Sequence, residues 1–264
     1  MVARRAGESR SGTARALAVL SAFDHAHRSL TLSDIARRAD LPLATTYRIV
    51  GELDAARLLV RRPDGAYEIG ARGWHLGLLA PQTALREAAL PHLQDLVTVT
   101  GHTVHMAVLD GPAALVLERL AGSRTLPTRH TPGTRLPLHC TAVGKALLAH
   151  LPAADLDRLL ATRGLKAYTR NTITTPALLQ RELRAIRERG YAIDDEEIEE
   201  GLRCVGAPVR DHSGRVVASM SIAGPAFRVT RAKAPALARA VMKVADAFST
   251  ELGHRPLRRT SKTA

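Results

Sequence analysis

The sequence predicts an α+β fold in two domains, and three observations carry that prediction. The N-terminal part reads as helix, helix and β-hairpin; a short apolar helical stretch follows; the remainder alternates period-two strands with amphipathic helices. A chain of 264 residues has room for a domain of about 70 residues and another of about 180, each large enough to bury a core. The expected divisions are 1–12 as a flexible start, 13–70 as the helix, helix and hairpin domain, and 71–82 as a linker helix. Residues 83–254 form the larger domain, and 255–264 a basic tail that lacks apolar periodicity and is expected to be disordered.

After the basic start MVARRAGESRSG an amphipathic helix is expected, and a second begins near Leu32. Thr31 stands three residues before Asp34, the spacing at which a capping hydroxyl and an acidic third residue satisfy open backbone N–H groups. Leu32, Ile35, Ala36 and Ala39 share one face, and Asp40 and Leu41 end the helix. Pro42 then opens the next helix, where its missing N–H costs nothing. Thr46, Val50 and Leu53 share the inward face, which turns Ala44, Thr45, Tyr47, Arg48 and Glu52 outward.

The hairpin spans Leu58 to Ile69, with Leu58 to Val60 as one strand, Pro63-Asp64-Gly65 as the turn and Ala66 to Ile69 as the return. Asp-Gly between short apolar runs is a strong hairpin signal. Helix, helix and basic hairpin in this order outline a winged helix-turn-helix, and the expected partner is double-stranded operator DNA. Small residues at the start of the second helix allow entry into a major groove about 12 Å wide. Thr45 and Tyr47 offer hydroxyls, Arg48 a guanidinium for phosphate, and Arg61 and Arg62 reach toward backbone or minor groove. The candidate DNA-contacting set is Thr31, Ser33, Leu43, Ala44, Thr45, Thr46, Tyr47, Arg48, Arg61 and Arg62.

Charge supports this only weakly. The formal net charge is +13, but residues 1–80 hold 12 arginines against 8 acids, so most of the excess lies outside the reader. Part of it is the tail with Arg258, Arg259 and Lys262, which would add salt-dependent attraction to DNA. No window approaches the roughly 20 apolar residues of a membrane span, and the start lacks the apolar core of a signal peptide, so a soluble cytoplasmic protein is expected. Cys140 and Cys204 are too few for a disulfide framework and lack zinc-site spacing; reduced thiols and no metal or cofactor are expected.

Ala71 to Ala80 carries the only tryptophan, Trp74, with Leu76, Leu78 and Leu79 in a helical pattern. That is more apolar surface than a free spacer needs, so the linker helix should pack either on another subunit or within its own. In the larger domain a helix runs from Ala84 to Thr100 with an interruption near Pro91, followed by strands His102–Leu109 and Ala113–Leu120. Helices are expected over Ala142–Leu151, Asp155–Ala161 and Pro176–Arg189, the last capped by Thr175 and Gly190 with Leu178, Leu179, Leu183 and Ile186 inward. Strands Tyr191–Asp194, Arg203–Asp211 and Val216–Ala223 follow, and a helix from Arg231 to about Leu252 closes the fold. The Leu136 to Lys145 segment passes from an irregular stretch into a helix, so N–H groups near Thr141, Ala142, Val143 and Gly144 lie at a helix N-terminus that attracts carboxylates.

Two separated groups of motifs resemble the IclR family of transcriptional regulators. RALAVLSAF, LSDIARRADLPLATTYRIVGEL and the hairpin ending YEIG are similar to that family's DNA-binding domain. LPLHCTAVGKALLAHLP, GYAIDDEEIEEGLRCVGAPVRD and ASMSIAGP are similar to its effector-binding domain, and together they span nearly the whole chain. The resemblance implies a GAF-like antiparallel sheet flanked by helices, a homo-oligomer built as a dimer or dimer of dimers, and an effector site. One wall of that site holds Leu138, Cys140, Thr141, Ala142 and Val143; the other holds Asp194, Leu202 and Cys204. A small organic acid suits it, with the rest of the acidic run Asp195 to Glu200 expected to be a solvated loop. Two other readings stand beside this one. A thiol enzyme using Cys140 and His139 is disfavoured because neighbours on an extended segment point to opposite sides. A thiol redox sensor would pair Cys140 with Cys204 under oxidation, and a metabolite-binding module would have no DNA role.

Overall fold

The computed structural model describes residues 10–123, 130–162 and 164–255. The flexibility expected before residue 10 and the disorder expected after Arg255 lie outside the described residues. Two compact units divide between Ala84 and Leu85.

In the first unit, Ser11 caps α1 (Gly12–Leu20) by accepting from the Ala14 N–H at 3.2 Å, so Ser11 and Gly12 belong to that helix and not to a loose start. Strand β1 (Ser29–Leu30), which the sequence did not suggest, leads into α2 (Leu32–Ala39). Thr31 Oγ1 accepts from the Asp34 N–H at 3.2 Å and donates to Asp34 Oδ2 at 2.7 Å, the reciprocal cap its spacing predicts. Asp40 closes α2 in the left-handed region, φ 53°. Helix α3 (Leu43–Ala55) buries Thr46, Ile49, Val50 and Leu53 against Val19, Ile35 and Leu59. The hairpin β2 (Leu59–Arg61) and β3 (Tyr67–Ile69) joins β1 in a sheet of order β1-β3-β2. Gly70 follows it; any Cβ there would lie 2.3 Å from the Arg57 carbonyl oxygen, so only glycine admits this close approach. Helix α4 (Ala71–Leu78) is two residues shorter than expected and buries none of its side chains.

The second unit is a six-stranded antiparallel sheet of order β6-β5-β4-β9-β8-β7. Its strands are β4 (Thr103–Asp110), β5 (Ala113–Leu120), β6 (Arg135–Pro137), β7 (Ala192–Asp195), β8 (Leu202–Arg210) and β9 (Val216–Pro225). Its helices are α5 (Pro81–Thr100), α6 (Ala142–Leu148), α7 (Ala153–Thr162), α8 (Pro176–Arg189) and α9 (Ala234–Glu251). Helix α5 runs through Pro91 without the expected interruption. Pro91 and Glu87, whose carbonyl it leaves without its helical donor, are both exposed, so that carbonyl stays open to solvent and the proline is tolerated. Strand β6 forms where an irregular segment was expected, as the short proline-containing edge of the sheet. Leu179, Leu183 and Ile186 of α8 are buried as expected, but Leu178 is 54% exposed and Thr175 makes no side-chain cap.

Strand parity sorts the core. Val104, Met106, Val205, Ala207, Met220 and Ile222 face Leu93 and Leu96 of α5 and Val241 and Phe248 of α9. On the opposite face, Ala107, Val116 and Ala192 meet Val143, Leu147, Leu179 and Ile186 from α6 and α8. That apolar packing covers only part of the second face.

Candidate functional site

The candidate reader surface is the start of α3 and the hairpin. Leu43, Ala44, Tyr47 and Arg48 are exposed and Thr45 is half-buried, with Leu43 52% and Tyr47 68% accessible. Thr46 corrects the expected set: it is fully buried and its Oγ1 donates to the Pro42 carbonyl at 3.1 Å, since its position continues the Val50 and Leu53 face. Ser33 is exposed, and the Thr31 hydroxyl is committed to the α2 cap. Arg48 pairs with Glu52 at 2.5 Å; Arg62 pairs with Glu68 at 3.0 Å and Asp64 at 3.4 Å. Arg61 has no carboxylate partner among the described residues. Exposed pairs of this kind are worth about 0–1 kcal/mol, so another anion could replace the carboxylates at little cost.

The second candidate site lies on the α6 face of the sheet, among buried side chains. Ala142, Leu202, Cys204 and Ala223 pack together with Ile198. Asp194 lies opposite Cys204 across the β7–β8 ladder, and Gly206 lets the start of α6 approach, since a Cβ there would meet the Ala142 backbone at 3.1 Å. Asp194 is wholly buried; its Oδ1 accepts from the N–H groups of Glu197 at 2.8 Å and Ile198 at 3.4 Å, while Oδ2 has no partner. Not all of the expected wall converges here. Leu138 and Val143 point their side chains into the α6–α8 core, and the Thr141 hydroxyl is used up by donating to the Pro137 carbonyl at 2.7 Å and accepting from the Gly144 N–H at 3.1 Å. The Lys145 N–H bonds the Thr141 carbonyl, which leaves the N–H groups of Ala142 and Val143 as the open ones.

The acidic run is not a solvated loop at its start. Glu197 is buried and ion-paired with the buried Lys145 of α6, whose Nζ lies 3.9 Å from Glu182 of α8. Asp195 and Glu196 bind Arg203 at 2.5 and 2.9 Å. Only Glu199 and Glu200 are exposed as expected. A buried lysine inside the apolar stretch AVGKALLAHL was the signal for such a partner, because a charge there needs one.

A further polar cluster escaped sequence reasoning. His105 on β4 stands opposite Arg119 on β5 and Ser221 on β9, and the His130 ring lies 5.9 Å from that of His105. Parity could have found them: Thr103 and His105 alternate with Val104 and Met106, and Ser219 and Ser221 with Met220 and Ile222, so one face of a buried sheet carries polar side chains.

Burial sets the electrostatics. It raises the Asp194 carboxyl to about 7, against the opposing pull of Lys145. A raised carboxyl keeps its proton in the folded state between about pH 4 and 7, so folding stability falls as pH rises through that window and is constant above it. Asp194→Asn removes this dependence. The melting temperature of the variant relative to the natural chain should therefore be higher at pH 8 than at pH 4.5, and a difference independent of pH would contradict the assignment. Both thiols are raised, by burial first and by Asp194 next, so neither is a thiolate. The His139 Nε2 hydrogen-bonds the Lys166 carbonyl at 3.0 Å. Cys140 and His139 thus lack the activated-nucleophile arrangement of a thiol enzyme.

Comparison with known proteins matches both units. Residues 12–63 match the IclR helix-turn-helix domain and residues 79–250 the C-terminal domain of bacterial IclR transcriptional regulators. The chain is 37% identical over 228 residues to the HTH-type transcriptional regulator BhcR of Paracoccus denitrificans, covering 83% of this chain and 80% of that one. It is 34% identical over 251 residues to the HTH-type transcriptional repressor AllR of Klebsiella pneumoniae, covering 92% and 90%. A solved IclR homolog from Microbacterium hydrocarbonoxydans, complexed with 4-hydroxybenzoate, superposes with a TM-score of 0.84 at 30% identity over 92% of this chain and 99% of that one. The Thermotoga maritima IclR structure gives 0.72 at 32% identity over 91% and 98%. Among the described residues no helix is long and apolar enough to cross a membrane. With a winged helix-turn-helix unit, a second unit whose sheet carries a buried polar face, and matches over both, the chain belongs to the IclR family and is a ligand-responsive, DNA-binding transcriptional regulator.

Proposed function

We propose that the chain acts in the cytoplasm as a homo-oligomeric repressor that binds a palindromic operator and responds to a small organic acid in its C-terminal unit. The observation that carries the ligand half is the buried polar row on a sheet whose other face is mostly apolar, beside the open N–H groups of Ala142 and Val143. The acid's carboxylate meets those N–H groups, Ala142, Leu202 and Cys204 form apolar contacts, Cys140 lies behind them, and Asp194 takes a second polar group. That a relative of the same fold is complexed with 4-hydroxybenzoate supports an acid of this size.

Leu43, Ala44, Thr45, Tyr47 and Arg48 enter the major groove, Ser33 and the Thr31 turn lie along the backbone, and Arg61 and Arg62 form the basic wing. One winged helix makes few base contacts, and paired readers match the half-sites of a palindrome. Trp74, Leu76, Leu78 and Leu79 are 70, 51, 42 and 69% exposed, apolar area that a second copy would cover. That the relative AllR is a transcriptional repressor supports repression.

A gel-shift of the full chain on the intergenic DNA upstream of its own gene, with a scrambled fragment as control, tests the DNA half. A thermal-shift screen of small aliphatic and aromatic acids tests the other, since a ligand of the native state raises its melting temperature. Equal retention of both fragments, or no acid that shifts the transition, would overturn the respective half.

A further inference from the structure

We infer that the effector is an acid carrying a hydroxyl or N–H group at the end remote from its carboxylate, and that His105 Nε2 accepts the hydrogen bond from that group. This rests on the ligand reading above and narrows it to a chemical class. His105 is 3% exposed, and its Nε2 is buried with no hydrogen-bond partner among the described residues. An orphaned buried ring nitrogen is costly, and native proteins keep one where a ligand completes it. The ring is held in place from the other side: it hydrogen-bonds the His130 backbone, and the two rings meet edge to face at 5.9 Å.

The protonation state decides what the nitrogen reads. Burial, then His130 and Arg119, lower the His105 pKa to about 3, so the imidazole is neutral throughout the working range. With its one proton given to the His130 backbone, the ring presents a bare lone pair at Nε2. A lone pair accepts from a hydroxyl or N–H and has nothing to offer a second carboxylate. The register also sets the reach. His105 on β4 and Cys204 on β8 are separated by β9 alone, with Ser221 between His105 and Gly206 on the shared face. Two strand spacings, roughly 10 Å, part their backbones. A ligand one aromatic ring long, or a short chain of similar length, spans the interval between the two inward-pointing side chains.

Isothermal titration of the full chain with 4-hydroxybenzoate, benzoate and terephthalate, and with the pair 4-hydroxybutyrate and butyrate, tests the inference. The hydroxy acid of at least one series should bind about tenfold or more tightly than its deoxy partner, and terephthalate should bind no better than benzoate. In His105→Leu the preference should vanish while the deoxy acid keeps its affinity; in His105→Gln, which retains an acceptor, part of the preference should return. Unliganded His105→Leu loses the bond to the His130 backbone and should melt somewhat lower, so the readout that a purely structural histidine would not move is the hydroxyl preference, lost while the deoxy acid keeps its affinity. Acids that bind without hydroxyl preference, a dicarboxylate that binds best, or a preference that survives His105→Leu would each overturn the inference and leave the ligand reading standing. Failure of every acid in both series to bind would remove the ligand reading and this inference with it.

Discussion

Lys145→Ala should destabilise the C-terminal unit by about 3–5 kcal/mol, the range for removing one partner of a buried ion pair. Lys145 is 1% exposed and Glu197 5%, and the pair joins α6 to the turn after β7. Without the ammonium, Glu197 keeps a buried charge whose Oε2 already lacks a partner, beside the equally buried Asp194. The transition of this unit should fall by roughly 6–20 °C in thermal unfolding, read separately from the reader unit because a two-unit chain need not melt in one step. Burial already raises the Glu197 carboxyl against the pull of Lys145, so its loss raises it further. The loss should therefore be greatest at neutral pH and shrink in acid, where the carboxylate is protonated. Lys145→Met combined with Glu197→Leu should recover most of the stability, since removing both charges leaves nothing uncompensated. A single variant that loses under about 1 kcal/mol would show that the pair does not hold these elements together.

Arg48→Ala with Arg61→Ala should weaken operator binding by about a hundredfold at moderate salt, with each single change near tenfold, and should lower the salt slope by about one per lost phosphate contact. Arg61, which has no carboxylate to leave, should show the simpler effect. Arg48 must first release Glu52, so Glu52→Gln alone should strengthen binding at low salt. Fluorescence anisotropy across a salt series reads both quantities. Unchanged affinity and slope in the double variant would remove α3 and the hairpin from the interface.

The reader unit was almost fully legible because its signals are local. The Thr31–Asp34 cap, Pro42 at a helix start and Asp64-Gly65 at a turn each act within a few residues, and every element they imply is present. Thr46 was misassigned for a local reason too. A threonine beside groove-facing residues reads as a donor, yet helical geometry had already placed it with Val50 and Leu53. In the larger unit, strand alternation indicated the sheet, but Pro91 and β6 escaped because solvent exposure and edge position, neither visible in one segment, decide whether a proline breaks an element.

By itself the sequence determined the two-part architecture, the winged helix-turn-helix, and the segments that form the second site. Capping, periodicity and turn chemistry depend on neighbours along the chain. Only the tertiary structure decided which polar groups share that site. It brought Asp194 opposite Cys204, drew Lys145 to Glu197 across 52 positions, turned Leu138 and Val143 into the core, and put His105 on the polar face with Ser221 and Arg119. Those placements depend on strand order and register, which are set by long-range pairing, and burial then gives the groups their unusual protonation and their open hydrogen-bonding positions.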